Sequence, residues 1–342
     1  MTTTQEECTK LFCLAHEHQA TDVHFHPYPD YTAVLFRTEG DLKETRRLSR
    51  TYADKMIAHL KFQSGMDIGE RRLPQNGSLS MIQGEKSLAI RLSTIPIAEG
   101  ERLVARLLPA NDHLKLSQLP LLESSSRKLH DLAQLDHGLI IFTGPTGSGK
   151  TTTMYALLQE ISRQTIRHVI SVEDPIEKPQ KAFTQMQVNE QAGLFYTDAL
   201  KAALRHDPDV LMVGEIRDEK TAKMAVRAAM TGHLVLTTMH TRNTSGALVR
   251  LLEFGVPANY IYESTAAVVA QRLVHVREDD PDRIQEKRKA IFGFLADEPL
   301  QSLLDDCVQN IPLSYDDGLE SQRLEGMALG YDAAKEERHS HV

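Results

Sequence analysis

The chain has 342 residues, 41% of them hydrophobic and 25% charged, a formal net charge of −8 at pH 7, and no Trp. That length suits two domains, and the acidic balance excludes a protein whose surface as a whole is built to coat nucleic acid, although net charge does not bear on a local basic groove. Its three cysteines, Cys8, Cys13 and Cys307, lack C-x-x-C spacing, which argues against a cysteine zinc site and for reduced thiols in a cytoplasmic protein.

An amphipathic helix is expected over Gln5–His18. This start has no basic region followed by an apolar core, so it does not read as a signal peptide. No stretch approaches the ~20 apolar residues that span a bilayer, so any work at a membrane would be done from the cytoplasmic face through a partner. Short alternating segments then predict strands at Asp22–His26, Thr32–Arg37, Gly77–Met81, Leu88–Ser93 and Leu103–Leu107, with turns at Glu39-Gly40 and Asn76-Gly77 and a helix at Tyr52–Phe62. Residues 1–112 thus read as a small α+β domain. Pro109–Pro120 is polar and Pro-bounded, and residues 113–122 within and just beyond it are taken as a linker that lets two domains move.

From Glu123 the pattern changes to strands that are apolar throughout, alternating with helices. Strands are expected at Gly138–Thr143, His168–Val172, Val210–Val213 and Leu234–Thr238. Helices are expected at Thr151–Arg163, Thr197–Arg205, Glu219–Met230, Thr244–Phe254 and Asn259–Leu273. This is the signature of a parallel sheet covered on both faces. Residues 123–342 form this second domain with a helical C-terminal extension; the charged run Arg277–Lys289 reads as a solvated helix face or a docking surface, Ala290–Leu295 as a last apolar piece, and the end as a polar, poorly ordered tail.

Gly144-Pro145-Thr146-Gly147-Ser148-Gly149-Lys150-Thr151 matches G-x-x-x-x-G-K-[ST] between an apolar strand and a helix. Glycines let backbone N–H groups turn inward around phosphate oxygens, and the positive end of the following helix, including Thr152, faces the same anion. Lys150 would neutralise β/γ charge and the Thr151 hydroxyl would hold Mg²⁺, which predicts ATP as ligand and hydrolysis as the reaction. A chance match in a glycine-rich loop would not account for the strand–loop–helix setting. The strand Val210–Val213 runs into Glu215, a candidate for the metal, through water, unless it merely caps the next helix. The strand before Pro175 ends in Glu173-Asp174, and Glu173 is either the base that activates water or a turn-forming carboxylate. His240 lies at the carboxyl end of its strand, on the ligand edge, where it could sense the γ-phosphate; His233 lies at the other end. His24 and His26 share a strand face with His16 and His18 nearby, a pattern that fits structural hydrogen bonds better than a metal site.

Four segments in this order, GPTGSGKTTT, VISVEDPIEKP, DPDVLMVGEIRD and TGHLVLTTMHTRN, resemble the nucleotide motifs, "Asp box" and "His box" of the secretion ATPases of type II secretion, type IV pili and competence pseudopili. ATDVHFHP, RRLPQNGSL, RLSTIPIAEGERLVARLL and VVAQRLV extend the likeness over about residues 20–275. The resemblance implies a RecA-like P-loop ATPase domain, α/β in class, with a smaller α+β, PAS-like N-terminal domain. It implies a ring-shaped homohexamer in which N-terminal arginines, here Arg91 and Arg106 with Arg102 as a third candidate, complete the nucleotide site. It favours Glu173 as catalytic base and Glu215 at the metal.

The four-cysteine zinc element that many assembly ATPases of secretion and pilus systems carry has no counterpart in HVREDDPDRIQEKRKAIFGFL, so no zinc is expected. The short chain without that element looks most like the competence pseudopilus assembly ATPases of Gram-positive bacteria. Pilus retraction and type II secretion ATPases are the alternatives, and a nucleotide-binding scaffold without turnover is a further one. The implied partner is a polytopic membrane platform protein, and through it pilin-like subunits, with the motor peripheral to the cytoplasmic face of the membrane and making no direct nucleic-acid contact.

Overall fold

The computed structural model describes residues 3–38, 40–83, 86–108, 115–280, 283–309 and 316–328. The chain folds as two units, Met1–Asp112 with Pro175–Pro179, and His113–Asp174 with Gln180–Val342.

The first unit opens with α1 (Thr4–Glu17), whose N-terminus is closed by a capping box: the Thr3 side chain accepts from Glu6 N–H while the Glu6 carboxylate accepts from Thr3 N–H. It continues through β1 (Asp22–Pro27), β2 (Tyr31–Thr38), β3 (Asp41–Ser49), α2 (Arg50–Gln63), β4 (Gln75–Gln83), β5 (Lys86–Ile97) and β6 (Gly100–Leu108). The strands form one antiparallel sheet in the order β3-β2-β1-β6-β5-β4. Val23, Phe25, Phe36, Ile90, Leu92, Leu103 and Ala105 point to the α1/α2 side and make the core. The period of two then sends Asp22, His24, Arg91, Arg102 and Arg106 to the opposite face.

In this unit one strand was not foreseen and one expectation fails. β3 was hidden because DLKETRRLS alternates nothing apolar; it is an exposed edge strand, which tolerates charge. Asn76-Gly77 is not a turn but lies inside β4, where a Cβ on Gly77 would stand 2.7 Å from the Ser64 carbonyl oxygen. The glycine is there for close approach, not for a bend. Of the Glu39-Gly40 turn, Glu39 lies outside the described residues, and Gly40 has φ +91°.

Residues 109–114 of the expected linker lie outside the described residues. Leu116 and Leu121, which follow, are buried, and Leu121 N–H donates to the Ala290 carbonyl. The second unit then runs α3 (Glu123–Ala133), β7 (Gly138–Thr143), α4 (Lys150–Gln164), β8 (Val169–Glu173), β9 (Thr184–Gln187), α5 (Tyr196–Leu204), β10 (Val210–Val213), α6 (Glu219–Met230) and β11 (Leu234–Met239). It ends with α7 (Thr244–Glu253), α8 (Ala258–Ser264), β12 (Thr265–Asp280), β13 (Arg283–Leu295), α9 (Asp297–Val308) and α10 (Leu319–Ala328). The sheet order is β13-β12-β7-β11-β10-β8-β9, parallel except for β13. Ile141, Val172, Val213 and Val235 pack with α5 to α9, and Ile140, Phe142, Met212 and Leu236 with α3 and α4. Each of these strands is therefore apolar on both sides, as a doubly covered sheet requires.

The expected helix Asn259–Leu273 is only half correct. It stops at Ser264, and TAAVVAQRLV continues as β12 alongside β7, with Val268 in one core and Ala267 and Val269 in the other. The charged run Arg277–Lys289 is likewise not a helix face. Its described residues continue the β12/β13 ladder, for example Arg277 opposite Glu286, because a strand anchored in the sheet carries its register outward regardless of local composition. Residues 281–282, and the tail 329–342, lie outside the described residues. In the C-terminal extension α9 adds Leu300, Leu303 and Leu304 to the core.

Candidate active site

β7 is buried along its whole length and ends at Thr143, and α4 begins at Lys150. The loop between them needs its glycines. Gly144 has φ +148°, and a Cβ there would lie 2.5 Å from the Gln271 carbonyl oxygen. Gly149, at φ +86°, is the N-cap of α4 and offers no side-chain cap, so the first N–H groups of the helix, those of Thr151 and Thr152 among them, are directed at whatever anion the loop holds. Lys150 is buried, and its Nζ donates to the carbonyls of Gly144 at 2.8 Å and Pro145 at 2.9 Å. The ammonium is thus held at the loop by the backbone it serves. Pro145, Thr146 and Gly147 are exposed, Ser148 is buried, and Thr151 and Thr152 are half-buried on the first turn.

The carboxyl edge of the sheet gathers the acids. In the order β7, β11, β10, β8, the strand ends present the loop, His240, Glu215 and Glu173. Glu173 is only 3% exposed, and its two oxygens accept hydrogen bonds from side chains of the surrounding core. It is no turn carboxylate. Glu215 Oε2 accepts from Arg217 Nε at 2.8 Å, and its Oε1 lies 3.4 Å from His240 Nε2. Arg217 also reaches Asp174 at 3.5 Å. The hydrogen bond to Glu215, with the charges of Glu215 and Asp174, holds the Arg217 guanidinium above its ordinary pKa against the opposing effect of burial. Glu215 does not cap α6: Asp218 is the N-cap and accepts from Thr221 N–H at 2.9 Å. His233 Nδ1 lies 2.9 Å from the Ala228 carbonyl oxygen at the far end of β11, a structural placement.

The arginines belong to the first unit. Arg91 and Arg106 stand directly opposite each other on β5 and β6. Arg106 Nε donates to Asp22 Oδ1 at 2.8 Å. Burial raises the Asp22 carboxyl, but hydrogen bonds from Arg106 and Thr21 and the Arg106 charge outweigh it and leave its pKa below the ordinary value. His24 is pushed down, first by burial and then by the Arg102 charge. Both His24 ring nitrogens, Arg91 Nε and Arg102 Nε are buried without a hydrogen-bond partner. Among the described residues no group of three or more His, Cys, Asp or Glu could hold a metal ion.

The structure therefore brings the phosphate loop, Glu173, Glu215 and His240 to one sheet edge, and sets Arg91, Arg102 and Arg106 on one face of the other unit. Sequence reasoning missed two supporting residues. Arg217 ties Glu215 to Asp174, and its place two residues after Glu215 was the available signal. Gln271, 1% exposed, donates from Nε2 to the Ser148 carbonyl at 2.8 Å and braces the loop from β12. It was read within a helix, so its approach to the loop was not legible.

Residues 4–298 match the family of type II/IV secretion system proteins. The chain is 40% identical over 323 residues to the competence protein ComGA of Bacillus subtilis (strain 168), covering 92% of this chain and 91% of that protein. It is 42% identical over 256 residues to a putative type II secretion system protein E of Escherichia coli (strain K12), covering 75% of this chain and 52% of that one. Among solved structures it resembles the pilus retraction motor PilT with bound ADP, at TM-score 0.71 and 24% identity over 94% of this chain and 93% of that chain. The fold is thus that of an N-terminal α+β domain followed by a RecA-like ATPase domain.

Proposed function

This chain belongs to the type II/IV secretion system protein family and is a nucleotide-binding ATP hydrolase of the secretion and pilus type, and we propose that it powers assembly of a competence pseudopilus for DNA uptake. The observation that carries the competence reading is the match to ComGA along almost the full length of both chains, whereas the type II secretion relative is matched over about half its length.

In the cycle we infer, the loop Gly144–Thr151 and the first turn of α4 wrap the phosphates, with Lys150 against their charge. The Thr151 hydroxyl and the Glu215 carboxylate are oxygen donors of the kind Mg²⁺ takes, and Glu215 remains partly open to water beside Arg217 and His240. These two residues would hold the ion, Glu215 through water, and the ion would neutralise phosphate charge. Glu173 orients and deprotonates the attacking water, and His240 relays the state of the γ-phosphate to Glu215. Arg91 and Arg106 supply positive charge to the transferring phosphoryl group when the N-terminal unit closes, in a homohexamer. No helix of the described residues is long and apolar enough to cross a membrane. The motor would work from the cytoplasmic face on a polytopic platform protein, through it on pilin-like subunits, with neither zinc nor direct nucleic-acid contact.

Deletion of the gene in its own organism tests this reading. Transformation should fall by several orders of magnitude at normal growth, with surface pseudopili lost, and should return with the wild-type gene but not with Lys150→Ala. Normal transformation with failed export of a folded protein would transfer the assignment to type II secretion; filaments that form but do not shorten would transfer it to retraction.

A further inference from the structure

Glu173 presents a physical problem. A carboxylate that is 3% exposed loses its hydration, and burial alone would protonate it and remove its use as a base. What stands in for water is a set of side-chain donors on three elements. Ser171 Oγ, two residues earlier on β8, donates to Oε1 at 2.6 Å. Gln185 Nε2, from the neighbouring β9, donates to the same oxygen at 3.0 Å. The hydroxyl of Tyr155 donates to Oε2.

Tyr155 differs from the other two in where it comes from. It sits on α4 four residues after Thr151, hence on the same side of the helix one turn along, and α4 is the helix whose N-terminus forms the phosphate loop. Tyr155 is 6% exposed, and its ring packs against Phe183 with centroids 6.0 Å apart. A buried tyrosine needs some acceptor for its hydroxyl, and a backbone carbonyl would serve. Here the acceptor is instead the carboxylate at the ligand edge of the sheet, whose other oxygen is bound by two further donors. This hydrogen bond links the helix that carries the loop to the acid on the neighbouring strand layer.

We propose that Tyr155 is a positioning residue for Glu173: its hydroxyl fixes the orientation of Oε2 and holds the carboxylate in its charged, proton-accepting form, tying the base to the helix that carries Lys150 and Thr151. The proposal rests on Glu173 being the base. Tyr155 itself neither touches nucleotide nor exchanges a proton with it.

The test is steady-state ATP hydrolysis by the full chain as a function of pH for wild type, Glu173→Gln and Tyr155→Phe, with ATP affinity measured alongside. Tyr155→Phe keeps the ring and its packing on Phe183 and removes only the donor. It should lower kcat about 10-fold, the scale of a lost hydrogen bond to a charged group, with KM for ATP changed by less than about 2-fold. The acidic limb of the kcat profile should move up by about one pH unit, because the charged form loses a stabilising donor. Glu173→Gln should abolish turnover at every pH while still binding ATP. If Glu173→Gln is inactive but Tyr155→Phe leaves the limb where it was, Tyr155 is only a packing residue and the proposal is wrong while the base assignment stands. If Glu173→Gln turns over normally, the base assignment fails and this proposal fails with it. Should Tyr155→Phe not fold, a ring-fluorinated tyrosine at the same position, a stronger donor of nearly the same shape, must move the limb the other way, to lower pH; an unmoved limb overturns the proposal equally.

Discussion

The two units treat their charged groups differently. At the sheet edge of the ATPase unit, each key group already has partners. Lys150 is bound to two loop carbonyls, Glu173 to three side-chain donors, and Glu215 to Arg217 with His240 nearby. On the polar face of the N-terminal unit, Arg91 Nε, Arg102 Nε and both nitrogens of His24 are buried without a hydrogen-bond partner. Arg91 also faces Arg106 across the ladder, a like-charge pairing that costs stability on a sheet. Asp22 pairs with Arg106 at 2.8 Å and, more loosely, with Arg37 at 4.0 Å. A buried donor left unmet is costly, and a sheet of this size could dispense with the arginines if it only had to fold. In the proposed cycle the contrast is between a site organised before ligand arrives and a face whose clustered arginines suit an anion such as a phosphoryl group as their acceptor.

The sharpest way to break this contrast is Arg91→Gln. If the arginine acts only on the transferring phosphoryl, kcat should fall by about 10³-fold. ATP affinity in the resting protein should stay within about 3-fold. Removing one of two opposed like charges should leave the melting temperature unchanged or raise it by about 1–3 °C. A variant that loses stability and turnover together would make Arg91 a structural residue, and the two units would then not differ in kind.

The self-contained side is tested by Gly144→Ala. The added Cβ would meet the Gln271 carbonyl at 2.5 Å, in a backbone conformation, φ +148°, that side chains rarely adopt. The loop must distort, while the β7 core below it is untouched. ATP affinity should fall about 100-fold, two tenfold steps on the scale of lost charge-assisted contacts, with the far-ultraviolet circular dichroism and melting transition retained. Affinity within about 3-fold of wild type would show that the cradle tolerates another backbone path.

The same contrast explains what could be read from sequence. The ATPase strands were legible because burial on both faces leaves an unbroken apolar run, and GLIIFT and VLMV appear at the expected limits. So were the loop and the positions of Glu215 and Glu173, since strand–loop–helix order fixes which end of a strand faces ligand. What was not legible depends on contacts distant in sequence. β3 is a charged edge strand, β12 is a strand only because β7 lies beside it, and Gly77 is explained only by Ser64. The arginines form a face by strand register, and no spacing within RLSTIP or VARLL reveals that Arg91 and Arg106 are opposite each other. Tyr155 is hidden for a similar reason: within the helix it reads as one more core aromatic.

The smallest expected effect concerns acid stability, and it sharpens the account of the N-terminal face. Asp22 has a folded pKa below its ordinary 3.8, so its contribution is fully present above that value and is lost as pH falls through the lower folded pKa. His24 is also depressed, from an ordinary 6.5, by burial and by Arg102. The unfolded chain then takes up a proton that the folded chain refuses, so stability is lost as pH falls below 6.5 toward the folded value. The two groups therefore begin to act at different pH, His24 below 6.5 and Asp22 below 3.8. The melting temperature of Asp22→Asn should lie below wild type at neutral pH, by the equivalent of about 0.5–1 kcal/mol since Arg106 is largely exposed, and should converge with it well below pH 3.8. That of His24→Asn should lose less than wild type as pH falls from 6.5 to about 4, where its imidazole no longer has to stay neutral among Arg37, Arg102 and Arg106. Parallel pH curves for wild type and His24→Asn would mean that His24 already finds a partner on that face, and the picture of a surface awaiting its acceptor would then rest on the arginines alone.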